Sequence, residues 1–292
     1  MNEPIDTVEE PNEENSLIFT RYLYSKLEVK QSLMLALIDN NTKEALFWAY
    51  ELYFSGFEEE LYDFIFLLYE NLYKVENPTL LKFIKKTYED WLQHPKHDWL
   101  VGSIIYTLST RTYQICSFMD SYLGVKCKPT IPIISKRKLI INLKKTDIVP
   151  YKTIKNGTIP AYNILKTVCK YQIRKNINTI FKTLSPDNLC DYYTHNWLFY
   201  ASRSPIWEKR ILKYDGIIDN IKKQIIFEHE ELEEEFYNIW NYEPDEQPLS
   251  IRKINIGDGS EPQISILEFC NKYSAGLITI KIKRKLITKS NM

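Results

Sequence analysis

The chain has 292 residues, of which 44% are hydrophobic and 14% aromatic, and its 38 basic side chains balance 38 acidic ones. That is enough apolar material for a substantial core, in one large or two modest domains, and the composition excludes a disordered or collagen-like chain. The longest apolar runs, such as FIFLLY at 64–69, are too short to cross a bilayer.

Taken in order, the first 15 residues are acidic and polar, reading as a disordered tail rather than a secretory leader. A helical domain is expected from 16 to 123. A short helix is predicted over Leu17 to Tyr24. Ser25 and Glu28 then have capping-box spacing for a helix that runs to about Leu37. The most aromatic stretch follows, Thr42 to Lys74. It reads as a helical hairpin turning at Gly56, a residue free to take a positive φ. In its first helix Glu44, Glu51 and Ser55 form one narrow polar stripe on an otherwise apolar cylinder. In its second helix Asp63, Glu70 and Lys74 face solvent. Tyr50-Glu51 recurs as Tyr69-Glu70, which hints at stacked units of the α-solenoid kind. Asn77-Pro78 opens a further helix to about Leu92, Pro95 another to about Leu108, and helical sequence continues to about Tyr122.

Residues 124–160 change character. Pro129, Pro132, Pro150 and Pro160 preclude a long helix, and the segment reads as a basic extended connector, with a short strand or helix near Lys138 to Leu143. Helix is expected again over 161–184, from Ser185 to about Ala201, and from Pro205 to about Tyr214. Gly216 to Glu228 reads as a β-hairpin, with Ile217-Ile218 and Ile225-Ile226 flanking a polar turn. An acidic helix covers 229–240, and YEPDEQP at 242–248 reads as a loop. Residues 241–292 form a small α+β extension, with a helix capped by Ser265 and Glu268 and an alternating edge strand LITIKIK at 277–283. The expected fold is therefore mainly α: an N-terminal helical array with a small α+β C-terminal part that contains a β-hairpin.

The balanced total conceals a charge segregation: the net is −10 over 1–100, +13 over 101–185 and −3 over 186–292. In the middle block Lys136, Arg137, Lys138, Lys144, Lys145, Lys152, Lys155, Lys166, Lys170, Arg174 and Lys175 could neutralise phosphates or an acidic partner. Tyr151, Tyr162 and Tyr171 lie among them. The bland alternative is a basic face that docks on the acidic N-terminal part. The block matches no standard nucleic-acid-binding motif. The acidic run EHEELEEE at 228–235 is ordinarily a solvated face, and less often a docking surface for a basic partner.

Signatures of chemistry are absent from the sequence. There is no phosphate-binding glycine loop, nucleophile elbow or HExxH motif. His94 and His97 are the nearest approach to a ligand pair, but the downstream Cys116 and Cys127 fit no zinc-finger spacing, so no metal site and no cofactor are expected. The five cysteines are odd in number and scattered, which points to reduced thiols in an intracellular protein.

The segments ALFWAYELYFSGFEEELYDFIFLLYENLYK and, at 204–248, SPIWEKRILKYDGIIDNIKKQIIFEHEELEEEFYNIWNYEPDEQP resemble uncharacterised proteins of nucleocytoplasmic large DNA viruses, the mimivirus-like giant viruses. The resemblance implies a host-cytoplasmic viral factory or a virion, where replication, transcription and packaging proteins act. It carries no site residues. The expected function is a non-enzymatic helical interaction or scaffold protein with a protein partner and a nucleic-acid contact through its basic middle. The alternatives are a structural virion or assembly protein, and an enzyme whose site is assembled from distant residues.

Overall fold

A computed structural model describes residues 17–126, 139–155, 157–182 and 185–274. The acidic tail, Lys136 to Lys138 and the LITIKIK strand lie outside these residues. Within them the fold is mainly α-helical, with a single two-stranded antiparallel sheet. The described residues divide into two compact units, each assembled from three stretches: those within 17–33, 47–61 and 150–262 form the first, and those within 34–46, 62–149 and 263–274 the second. The first three helices, α1 (Lys26–Ile38), α2 (Thr42–Tyr53) and α3 (Glu58–Leu68), each contribute residues to both.

The hairpin forms where the aromatic pattern placed it. Gly56 turns the chain at φ +93°, and a Cβ there would come within 2.6 Å of Pro205 Cβ, so glycine is required by both backbone and packing. Helix α3 runs on into a π-helical turn over Tyr69–Tyr73. Asp63, Glu70 and Lys74 are exposed, and Lys74 pairs with Glu70 one turn away. The polar stripe of α2 is different: Glu44, Glu51 and Ser55 are all buried. The Tyr-Glu echo therefore joins unlike environments, a buried Glu51 and a solvated Glu70.

The second unit contains three further helices before its last one. They are α4 (Leu80–Gln93), α5 (Trp99–Ser109) and α6 (Cys116–Leu123). Tyr62 lies against Tyr88 and Trp91 of α4, with ring centroids 4.9 and 4.8 Å away. Along α5, hydroxyls replace strand partners for the connector: Ser103 Oγ accepts from the Leu143 amide at 2.8 Å and Thr107 Oγ1 from the Ile141 amide at 3.1 Å. The connector is thus held as an extended strap, with no regular element over 139–143. The α4 start falls at Leu80 rather than Pro78, and the Asn77 side chain does not cap it: its Nδ2 donates to the carbonyls of Thr112 and Tyr73.

The first unit contains α7 (Ile164–Val168), α8 (Asn178–Phe181), α9 (Leu189–His195), α10 (Trp197–Ala201) and α11 (Pro205–Leu212). The hairpin strands β1 (Gly216–Asp219) and β2 (Gln224–Phe227) come next, then α12 (Glu230–Trp240) and α13 (Leu249–Ile256). The isoleucine pairs flank the turn as expected, and the register sets Ile217 opposite Ile226 and Ile218 opposite Ile225. The core is aromatic: Trp207 meets Trp197 at 5.3 Å, Tyr242 at 5.3 Å and Trp240 at 6.0 Å. In the second unit α14 (Ile266–Tyr273) begins with the expected capping box, in which Ser265 and Glu268 satisfy each other's backbone amides.

Three expected helices are altered, the first two because a tertiary partner outbids the local one. Residues 17–24 do not coil: Phe19 bridges to Ser25 and its amide donates to the Tyr200 carbonyl. The helix expected over 161–184 is interrupted between α7 and α8, where the amides of Ile173, Arg174 and Lys175 donate to Ile254 O, Ser32 Oγ and Glu261 Oε2. The helix after Ser185 breaks at Asn196, which separates α9 from α10. Helix α13 was not anticipated after the proline-rich loop. The cysteine expectation also needs correcting, since Cys116 is disulfide-bonded, whereas Cys169, Cys190 and Cys270 are free.

Candidate functional site

Burial decides which of the basic side chains are available. Lys144, Lys145, Lys155, Lys166 and Lys170 are exposed, and Lys152, Arg174 and Lys175 are half-buried. Lys144 and Lys145 belong to the second unit and the others to the first. The one acid between 139 and 170 is Asp147, whose carboxylate caps its own turn by accepting the Lys144 amide at 2.7 Å. Lys166 holds its ammonium 5.0 Å from the centre of the Tyr162 ring, a cation–π contact on the surface. Lys175 is engaged inside the first unit. Its ammonium lies 3.1 Å from Glu28 Oε1 and 3.1 Å from Ser185 Oγ. The same Glu28 oxygen accepts from Ser185 at 2.6 Å and Asn178 at 3.1 Å. Glu28 thus serves a long-range cluster, and Lys175 fastens the basic stretch to the base of α1.

A second region, which the sequence marked only as an acidic run, is concave. A cleft of about 730 Å³ is lined by Glu230, Glu233 and Glu234 of α12, by Glu243 after it, and by Tyr162 and Tyr237. Partial burial raises the pKa of Glu243, with neighbouring Glu246 and Asp245 adding to it and Lys166 opposing. Burial, reinforced by Glu233, also pushes up the Tyr237 phenol. Gln247 braces the rim, donating to the Tyr162 and Tyr242 carbonyls at 2.8 and 2.7 Å. Such a cleft attracts cations, and it contains no nucleophile beside a base.

The polar groups that do converge are buried, and those around Arg21 and Glu51 satisfy one another. The Arg21 guanidinium donates to Glu51 Oε2 at 2.9 Å, Thr153 Oγ1 at 2.9 Å and the Tyr151 carbonyl at 2.8 Å. Glu51 Oε1 accepts the Tyr22 amide at 3.1 Å, and Ser55 accepts the Arg21 amide at 2.9 Å. Arg210 is buried between aromatic faces, 3.8 Å from the centre of the Trp240 ring and 4.4 Å from that of Trp207. Burial lowers its pKa, since a desolvated cation is disfavoured. Little in the sequence separates these two arginines from solvated ones, because Glu51 and Trp240 each lie 30 positions away from the arginine they meet.

The remaining candidates behave as ordinary structure. His94 is exposed and His97 stacks on Trp99 with centroids 4.3 Å apart. His195 ends α9 on the surface. Among the described residues no group of three or more His, Cys, Asp or Glu is placed to hold a metal ion. None of their helices is long and apolar enough to cross a membrane. No protein-family model, curated protein or solved structure matches this chain.

Proposed function

We propose that this protein is a non-catalytic helical interaction protein that contacts nucleic acid through the lysines between 144 and 170, in the large-DNA-virus setting that its sequence resembles. The observation that supports this reading is how few acids that stretch carries among its lysines. Five of its lysines are exposed, while its single carboxylate is occupied by a backbone turn. Phosphate binding by exposed ammonium groups needs no shaped pocket and is driven by counterion release. The acidic cleft along α12 supports a protein contact of the opposite sign, with a basic segment of a partner.

Titrating the full chain against a DNA duplex and a single strand, in mobility-shift assays at 50 and 200 mM salt, tests this. Each phosphate contact on a duplex should steepen the loss of affinity between those salts by about 3.5-fold. Lys144→Glu with Lys145→Glu, and separately Lys166→Glu with Lys170→Glu, should each weaken binding without changing the melting temperature. Absence of binding at 50 mM salt, or binding unaffected by either pair, would overturn the reading.

A further inference from the structure

The strap over 139–143, within the second unit, gives one backbone edge to the fold and the other to solvent. Its inward bonds fall on alternate residues. The Leu139 carbonyl accepts from Arg111 Nη2 at 2.9 Å, the Ile141 amide donates to Thr107 Oγ1 at 3.1 Å, and the Leu143 amide donates to Ser103 Oγ at 2.8 Å. Each step of two residues along the strap meets a step of four on the helix side, from Arg111 to Thr107 to Ser103. The match arises because two extended residues and one helical turn both advance by about 6–7 Å. Backbone groups alternate in direction along a strand, so those of Ile140 and Asn142 point away from α5. Neither residue's amide or carbonyl has a hydrogen-bond partner among the described residues. Leu139 and Ile140 are 58% and 50% exposed, and Asn142 is exposed as well. The result is a short free strand edge with donors and acceptors in line. Lys144 and Lys145, both exposed, follow it directly, and Lys136, Arg137 and Lys138 precede it in the sequence.

We infer that this edge docks an acidic, extended segment of a partner protein, which adds to it as a further strand. In strand addition the main-chain hydrogen bonds supply the affinity, and no pocket is needed. Charge selects the occupant. A second copy of the chain, pairing symmetrically about Ile141, would set Lys144 and Lys145 opposite Lys138 and Arg137 of the other copy. Like charges directly opposite one another across a strand pair are destabilising. The chain's own LITIKIK segment would bring Lys281 and Lys283 to the same cations. Nucleic acid would take the lysines but leave the free amides of Ile140 and Asn142 unused. A segment with a few β-branched residues between acids satisfies both the edge and its flanks. This contact goes beyond the nucleic-acid reading, which uses Lys144 and Lys145 as charges and has no need of the edge.

The test is fluorescence anisotropy of the full chain with the labelled synthetic peptide EEDVTVTVDEE. Saturable binding is expected. N-methylating one alternate set of the core amides should weaken it about tenfold or more, and methylating the other set should leave it unchanged, since a strand presents only every second amide to its neighbour. Lys144→Glu with Lys145→Glu should also weaken it about tenfold or more. Both positions are exposed, so the melting temperature stays unchanged. Absence of binding at about 1 mM peptide would overturn the inference. Equal binding of the two methylated peptides would overturn it as well, because charge alone would then hold the peptide. Dimerisation of the chain alone that Ile140→Pro abolishes would overturn it in favour of a second copy. Peptide binding that appears only in Ile280→Pro would overturn it in favour of the chain's own LITIKIK segment.

Discussion

Replacing Glu51 by Gln leaves the size of the side chain unchanged but removes the counter-charge of Arg21. Arg21 is 2% exposed and Glu51 0%, so solvent cannot screen the orphaned guanidinium. The Thr153 and Tyr151 oxygens at 2.9 and 2.8 Å would still accept from it, and the Tyr22 and Phe54 rings would still lie 4.5 and 5.0 Å away. They carry dipoles rather than a full negative charge. Breaking a buried ion pair on one side typically costs about 3–5 kcal/mol. At about 2–3 °C per kcal/mol for a chain of this size, the melting temperature should fall by about 6–15 °C. Circular dichroism melts and urea titrations of Glu51→Gln, Arg21→Met and the double variant Arg21→Met with Glu51→Leu measure it. Removing both charges should cost clearly less than the sum of the single losses, because neither ion is then left alone. A Glu51→Gln melt within about 1 °C of wild type, or a double variant equal to the sum, would refute the argument that the pair is energetically coupled.

Two further outcomes follow from the geometry. Gly56→Ala should destabilise by about 1–3 kcal/mol in urea, since a Cβ at that positive φ meets Pro205, and a change below the resolution of the titration would count against it. The second concerns Glu60. Partial burial works against its charge, but the hydrogen bond and charge of Lys30, with those of Lys26, hold its pKa below the ordinary 4.5. A depressed folded-state pKa means stability that is complete above the unfolded value and is lost as pH falls through the folded one. Glu60→Gln should therefore be less stable than wild type at pH 7, with the difference closing as the pH falls below the ordinary 4.5. A difference independent of pH would show that the Lys–Glu contact contributes nothing.

Local rules were legible wherever an element depends on its neighbours in sequence. The turn at Gly56, the isoleucine pairs flanking the β-hairpin turn and the Ser265–Glu268 capping box were all predictable, since each rests on steric or hydrogen-bonding choices made within a few residues. The solvent side of α3 was likewise visible as Asp63, Glu70 and Lys74. Where backbone amides found distant partners, local reading failed. Phe19 pairs with Tyr200, and Ile173 with Ile254, so stretches with helical composition stayed extended.

For the candidate site the division is the same. The sequence determined a basic stretch poor in acids and an acidic helix, because charge is a property of composition. Only the tertiary structure decided which charges remain available. Lys175 closes on Glu28 and Arg21 on Glu51 across the interior, because a buried ion must find a counter-ion wherever the fold supplies one. Lys166, nine positions before Lys175 in the chain, stays on the surface beside Tyr162. The α12 glutamates line a cleft because Tyr162, distant from them in the chain, comes to its wall, a juxtaposition that no spacing along the chain encodes.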